Sequence, residues 1–192
     1  ERDFIWRLST AESDDEESSF TRLPDFDRIL MVIEGNVVLA HGDERSANLG
    51  PLEQDAFDGA IKTKCFGKLE KDYNLIMAKG CRGRMEVVQA DSEAKTIKLS
   101  ERKDAPGDGI GGECASIGIY CIEGYVIAAT DANNEMVKEG QQMIVTCQPG
   151  EKPVITVMGE GKCIFTEVIF EKQVIFTEEA PETKASSGDF AT

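Results

Sequence analysis

The sequence predicts an all-β protein built as two jelly-roll barrels, and three observations carry that prediction. Apolar runs are short and broken by Gly, Asp, Asn and Pro, no segment keeps a helical period, and one half of the chain repeats the pattern of the other. With 192 residues, 41% of them apolar, there is material for a substantial core.

Taken in order, the predicted strands are IWRLST, RILMVIEG, NVVLAH, AIKTKCFG, YNLIMA, MEVVQA, TIKLSE, SIGIYCIEG, YVIAATD, QMIVTCQ, VITVMG and CIFTEVIF. Each joins β-branched or aromatic residues between turn-forming neighbours. The Glu-Gly pairs read as turns between strands. SDDEESS at 13–19 reads as a solvated loop, and His41 in LAHGDER as an ordinary residue at a hairpin tip. GDGIGGE at 107–113 and GEGKC at 159–163 resemble phosphate loops only superficially. Neither meets the P-loop pattern or opens a helix, so both are predicted to be turns.

The repeat sets the domain organisation. Ile33-Glu34-Gly35 overlays Ile122-Glu123-Gly124 at a separation of 89 residues, with matching spacing downstream. The expected units are residues 1–90, a first barrel carrying any site, and 91–176, a degenerate second barrel. Residues 177–192 are small and polar and are expected to be a disordered tail. The halves differ chemically: at the repeat offset Asp27 and Arg28 become Ser116 and Ile117.

Composition narrows the partners. Against 21 Lys and Arg stand 36 Asp and Glu, a net charge of −15 that repels nucleic acid and anionic membranes. No apolar run approaches a membrane span, and a cytoplasmic protein is expected. Six cysteines without a CxxC pair are expected to be free thiols. One histidine and scattered cysteines cannot assemble a transition-metal shell, so neither metal nor other cofactor is expected.

The candidate site begins in FTRLPDFDRIL at 20–30, where Arg22, Asp27 and Arg28 precede an apolar run. A guanidinium is permanently charged and presents a rigid fork of donors suited to a carboxylate. The plainer alternative is that Asp27 and Arg28 cap a strand and pair with other charges on the rim. Asp72, Asn74 and Ile76 alternate along a predicted strand and so share a face, where Asp72 and Asn74 can orient a ligand or an arginine. Phe20 and Phe57 supply apolar wall.

WRLSTAE at 6–12, FTRLPDFDR at 20–28, FDG at 57–59 and DYNLIMAKG at 72–80, in this order, resemble the HutD/Ves family. Asp25, Ile76 and the pair Ala78-Lys79 depart from its usual Gly, Met and paired arginines. The resemblance implies a double cupin without metal-binding histidines, associated with histidine catabolism and binding a small carboxylate metabolite in a regulatory role. Arg22 and Arg28 would hold the carboxylate, Asn74 would orient it and Asp72 would position an arginine. Two alternatives stay open: a metal-independent cupin isomerase or lyase using Asp72 or Asp27 as general base, and an interaction module that docks a partner or forms a homodimer. An arginine beside either aspartate is expected to lower its pKa, which favours binding over catalysis.

Overall fold

A computed structural model describes residues 4–13, 15–104 and 112–171. The expected tail, and all of GDGIGGE except its last two residues, lie outside them. Strands β1 (Trp6–Ala11), β2 (Glu17–Ser19), β3 (Phe26–His41), β4 (Arg45–Leu49), β5 (Gln54–Asp58) and β6 (Thr63–Ala78) form one antiparallel sheet. Strands β7 (Arg82–Ala90), β8 (Lys95–Ile97), β9 (Glu113–Ala129), β10 (Asn134–Lys138), β11 (Gln142–Cys147) and β12 (Ile155–Glu171) form the other.

The two sheets repeat one plan. In the first, β6 pairs with β1 and β2 on one edge and with β3 on the other, while β3 also pairs with β4 and β5. In the second, β12 holds β7, β8 and β9 in the same way, and β9 holds β10 and β11. Each sheet folds over on itself to make a jelly-roll barrel. The repeat seen in the sequence is therefore structural, but the chain passes to the second sheet near Gly80: residues 82–90, expected in the first unit, are β7 and pair with β12.

The four long strands correct the expected turns. RILMVIEG and NVVLAH are one strand, β3, bent by a bulge around Glu34 and Gly35. β6, β9 and β12 likewise join two expected strands each, and GEGKC is the bend of β12, not a turn. Conversely, ESS of the expected acidic loop is β2, and RSANL, QDAFD and NEMVK form the short β4, β5 and β10. Gly35 shows why the bend needs glycine. Its φ is +114°, and a Cβ there would lie 2.1 Å from the Lys68 carbonyl oxygen. Its counterpart Gly124 has φ +67°, and a Cβ there would meet the Glu160 oxygen at 2.2 Å.

The bend divides each long strand into chemically distinct halves. Residues 28–33 of β3 are buried continuously, and beyond the bulge burial alternates. A strand covered on both faces reads as an unbroken apolar run, whereas one with a wet face alternates. Leu30 and Val32 point into the first barrel; Ile29, Met31 and Ile33 point at the second barrel and join Tyr120, Ile164 and Val168 in a shared core. At its centre Tyr73 stacks on Tyr120 at 4.9 Å, and its hydroxyl donates to Gln142 at 3.1 Å. Trp6 packs at the edge of this core, half-buried.

None of the six cysteines forms a disulfide, and all but Cys81 are buried. Burial raises the Cys65, Cys81, Cys121 and Cys147 thiols and pushes Cys163 up to about 12. Native protein exposed to an alkylating reagent is expected to label slowly and first at Cys81, and denatured protein at all six positions. Rapid native labelling of two or more sites, read by mass spectrometry, would contradict this packing.

Candidate functional site

Strand parity assembles the site. Arg28, Leu30 and Val32 alternate along β3, and across the ladder Asn74 faces Leu30 while Asp72 faces Val32. All five side chains therefore point into the first barrel. Arg28, expected at a rim, is only 6% exposed. Its Nη2 donates to Asn74 Oδ1 at 3.1 Å, and Asn74 Nδ2 lies 3.5 Å from Asp72 Oδ2. The Ala11 amide of β1 donates to Asp72 Oδ1 at 3.1 Å. Phe20 and Phe57 flank the guanidinium, with ring centroids 4.7 and 5.5 Å from its central carbon. Phe20 itself remains half-buried.

Two predicted site residues lie elsewhere. Arg22 is exposed and donates from Nε to the Ala60 carbonyl at 2.8 Å, tying down the loop ahead of β3. Asp27 has the opposite parity to Arg28 and faces Lys79 at 3.7 Å. Lys79 also binds Asp58 at 2.5 Å, and this contact holds the Asp58 carboxyl below its usual range.

Asp72 departs from the electrostatic expectation. Burial dominates and raises it to about 6, although the Ala11 amide, Arg28 and Asn74 all pull the other way. Desolvation penalises the carboxylate along its whole surface, whereas Arg28 acts from beyond an intervening amide.

His41 is no turn residue. It ends β3 on the inward parity of Val37 and Leu39 and is fully buried. Nδ1 is 3.0 Å from Thr63 Oγ1, Nε2 is 2.7 Å from Asp55 Oδ2, and the ring lies 4.7 Å from that of Phe57. Arg45 closes on Asp55 with both terminal nitrogens, at 2.9 and 3.0 Å. The alternation Val37, Leu39, His41 was the signal for this inward position. With its histidine engaged this way, the barrel does not fit the usual cupin metal shell, and among the described residues no three His, Cys, Asp or Glu side chains converge to hold an ion.

The second barrel lacks the constellation. Ile117 occupies the position of Arg28, Phe165 faces Ile119 as Asn74 faces Leu30, and Cys163 faces Cys121 as Asp72 faces Val32. All of these replacements are fully buried. An open groove of about 870 Å³, lined by Met136, Val137, Met143 and Ile144, lies in this half. Its lining includes no buried ionisable side chain, whereas the first barrel buries Arg28 and Asp72.

Comparison with known proteins covers most of the chain. A sequence model of the HutD family matches residues 1–165. HutD from Pseudomonas fluorescens SBW25, solved in a formate condition, is 22% identical, with a TM-score of 0.64 over 86% of this chain and 79% of that one. PA5104, a conserved protein of unknown function from Pseudomonas aeruginosa PAO1, is 18% identical, with a TM-score of 0.66 over 86% and 80%. AerE from Microcystis aeruginosa is 13% identical, with a TM-score of 0.51 over 88% of each chain. No curated protein matches. The two barrels are those of an all-β double cupin.

Proposed function

This chain belongs to the HutD family, and on that premise we propose that its first barrel binds a small carboxylate metabolite and reports its level to histidine catabolism. The observation that carries the proposal is Arg28: a permanent charge, almost fully buried, flanked by two phenyl rings and hydrogen-bonded to a neutral amide. Desolvation strengthens such a cation toward an anion, because bulk water no longer screens it. Phe20 packs against Arg28 while itself half-buried and is the side chain a ligand would displace. Formate, the smallest carboxylate, is the natural first probe, followed by urocanate and formiminoglutamate as intermediates of histidine breakdown.

A bound ligand at about 100 times its dissociation constant adds about 2.7 kcal/mol, roughly 5 to 10 °C in melting temperature. Arg28→Gln is expected to weaken carboxylate binding roughly 10- to 150-fold, the range of a lost charge-assisted hydrogen bond. Arg22→Ala, which alters only a loop contact, is expected to bind as wild type. Equal losses in the two variants, or none in either, would move the site away from Arg28.

Asp72 supports a second reading, a metal-independent isomerase or lyase. With a pKa near 6, it is ionised at neutral pH and basic enough to take a proton from bound substrate. Turnover of urocanate or formiminoglutamate, abolished in Asp72→Asn, would favour this reading over binding alone.

A further inference from the structure

We infer that the first barrel takes up its carboxylate together with one proton, carried by Asp72, so that affinity falls as pH rises. The inference rests on the carboxylate reading of Arg28. Arg28, Asn74 and Asp72 form a row on one inner face, with Asn74 joining guanidinium to carboxyl through its two amide atoms. Asp72 is 2% exposed, so its charge is balanced within the barrel and not by solvent.

An anion arriving at Arg28 would place two carboxylates around one guanidinium. Like charges sharing a desolvated site oppose double ionisation, so one of them is protonated. The ligand carboxylate is held by direct contact with Arg28, whereas Asp72 lies one amide further away. Asp72 is therefore the group that yields. Its Oδ1 is engaged by the Ala11 amide; Oδ2, only loosely approached by Asn74, is the oxygen that accepts the proton from solvent. No other bond forms or breaks. Burial has already raised this carboxyl to about 6, so a modest further rise protonates it at neutral pH.

The groups around Asp72 leave few competing explanations. From β3 it faces Arg28, from β1 the Ala11 amide, and from the first half of β6 Cys65, whose thiol burial keeps protonated. Lys71 pairs outward with Glu12, and Arg45 with Asp55. His41 and Asp55 are the other titratable pair reaching into the barrel, and they contact Phe57 and Thr63 rather than Asp72.

The test is formate affinity by isothermal titration from pH 5.5 to 8.5, a range over which formate stays anionic, repeated in two buffers of different ionisation enthalpy. A charge about 7 Å away at an effective dielectric near 20 raises a carboxyl pKa by roughly 1 to 2 units. Formate binding to wild type is therefore expected to weaken roughly 5- to 25-fold between pH 6 and 8, with about 0.4 to 0.8 proton taken up per site near pH 7. Asp72→Asn is expected to bind formate with neither pH slope nor proton uptake. Binding without proton uptake overturns the inference and leaves the carboxylate reading standing; a slope retained in Asp72→Asn overturns it and assigns the proton to another group. Failure of wild type to bind formate at any pH overturns both. If Asp72→Asn does not fold, proton uptake by wild type decides alone.

Discussion

Asp72→Asn is expected to stabilise the unliganded protein at pH 8 by up to about 3 kcal/mol, the equivalent of raising a carboxyl from 3.8 to about 6 on folding. Between those two values the folded state holds a proton on Asp72 that the unfolded state has released. The stability contributed by that proton is present at low pH and lost as pH rises through about 6. Asparagine keeps the shape and cannot ionise, so the variant escapes the loss. Urea unfolding of both proteins from pH 4 to 8 should show curves that diverge upward through this window and meet below about 4. A variant less stable than wild type at pH 8 would mean that attraction to Arg28 outweighs desolvation, and the proton-coupled reading would lose its physical basis.

Gly35→Ala is expected to cost on the order of 4 kcal/mol or more, the range reserved for a residue that fits neither its backbone angles nor its space. Two penalties combine: φ of +114° is unfavourable for any L side chain, and the new methyl would overlap the Lys68 carbonyl across the ladder. Gly124→Ala should behave alike against Glu160. Gly80→Ala separates the terms, since its φ is +94° but nothing lies within 4 Å of the added carbon. That variant should cost only the backbone strain, about 1 to 2 kcal/mol. If Gly35→Ala unfolds at the same urea concentration as Gly80→Ala, the bulge relaxes freely, and the bend does not depend on the close approach.

The bend also explains how the two halves diverged without losing the fold. Gly35 and Gly124 keep both bulges, and Leu30 and Val32 in one barrel correspond to Ile119 and Cys121 in the other. The polar positions lose their polarity: Ile117, Phe165 and Cys163 fill with apolar volume the space that Arg28, Asn74 and Asp72 occupy in the first barrel. Each buried aliphatic or aromatic side chain contributes about 1.5 to 3 kcal/mol, so these positions stabilise the second barrel where the first buries a polar row.

By itself the sequence determined the all-β class, the duplication, the confinement of the Arg28, Asn74 and Asp72 set to the first barrel and the shared face of Asp72 and Asn74. These follow from local pattern: β-branched alternation, the spacing of Glu-Gly pairs and two-residue parity act over a few neighbours. What only the tertiary structure decided is which side chains meet and how deep they lie. Arg22 and Arg28 look alike as residues ahead of an apolar run, yet one belongs to a loop and the other shares the inward face of Leu30. The Glu-Gly pairs carry the signature of turns, but a glycine pressed against the carbonyl of the neighbouring strand makes a bulge, and that neighbour is more than thirty residues away. Asp72 is the sharpest case: its charge and its arginine could be read from the chain, but the desolvation that raises it arises only when β1, β3 and β6 close around it. Burial is a property of the closed barrel, and no local pattern of residues contains it.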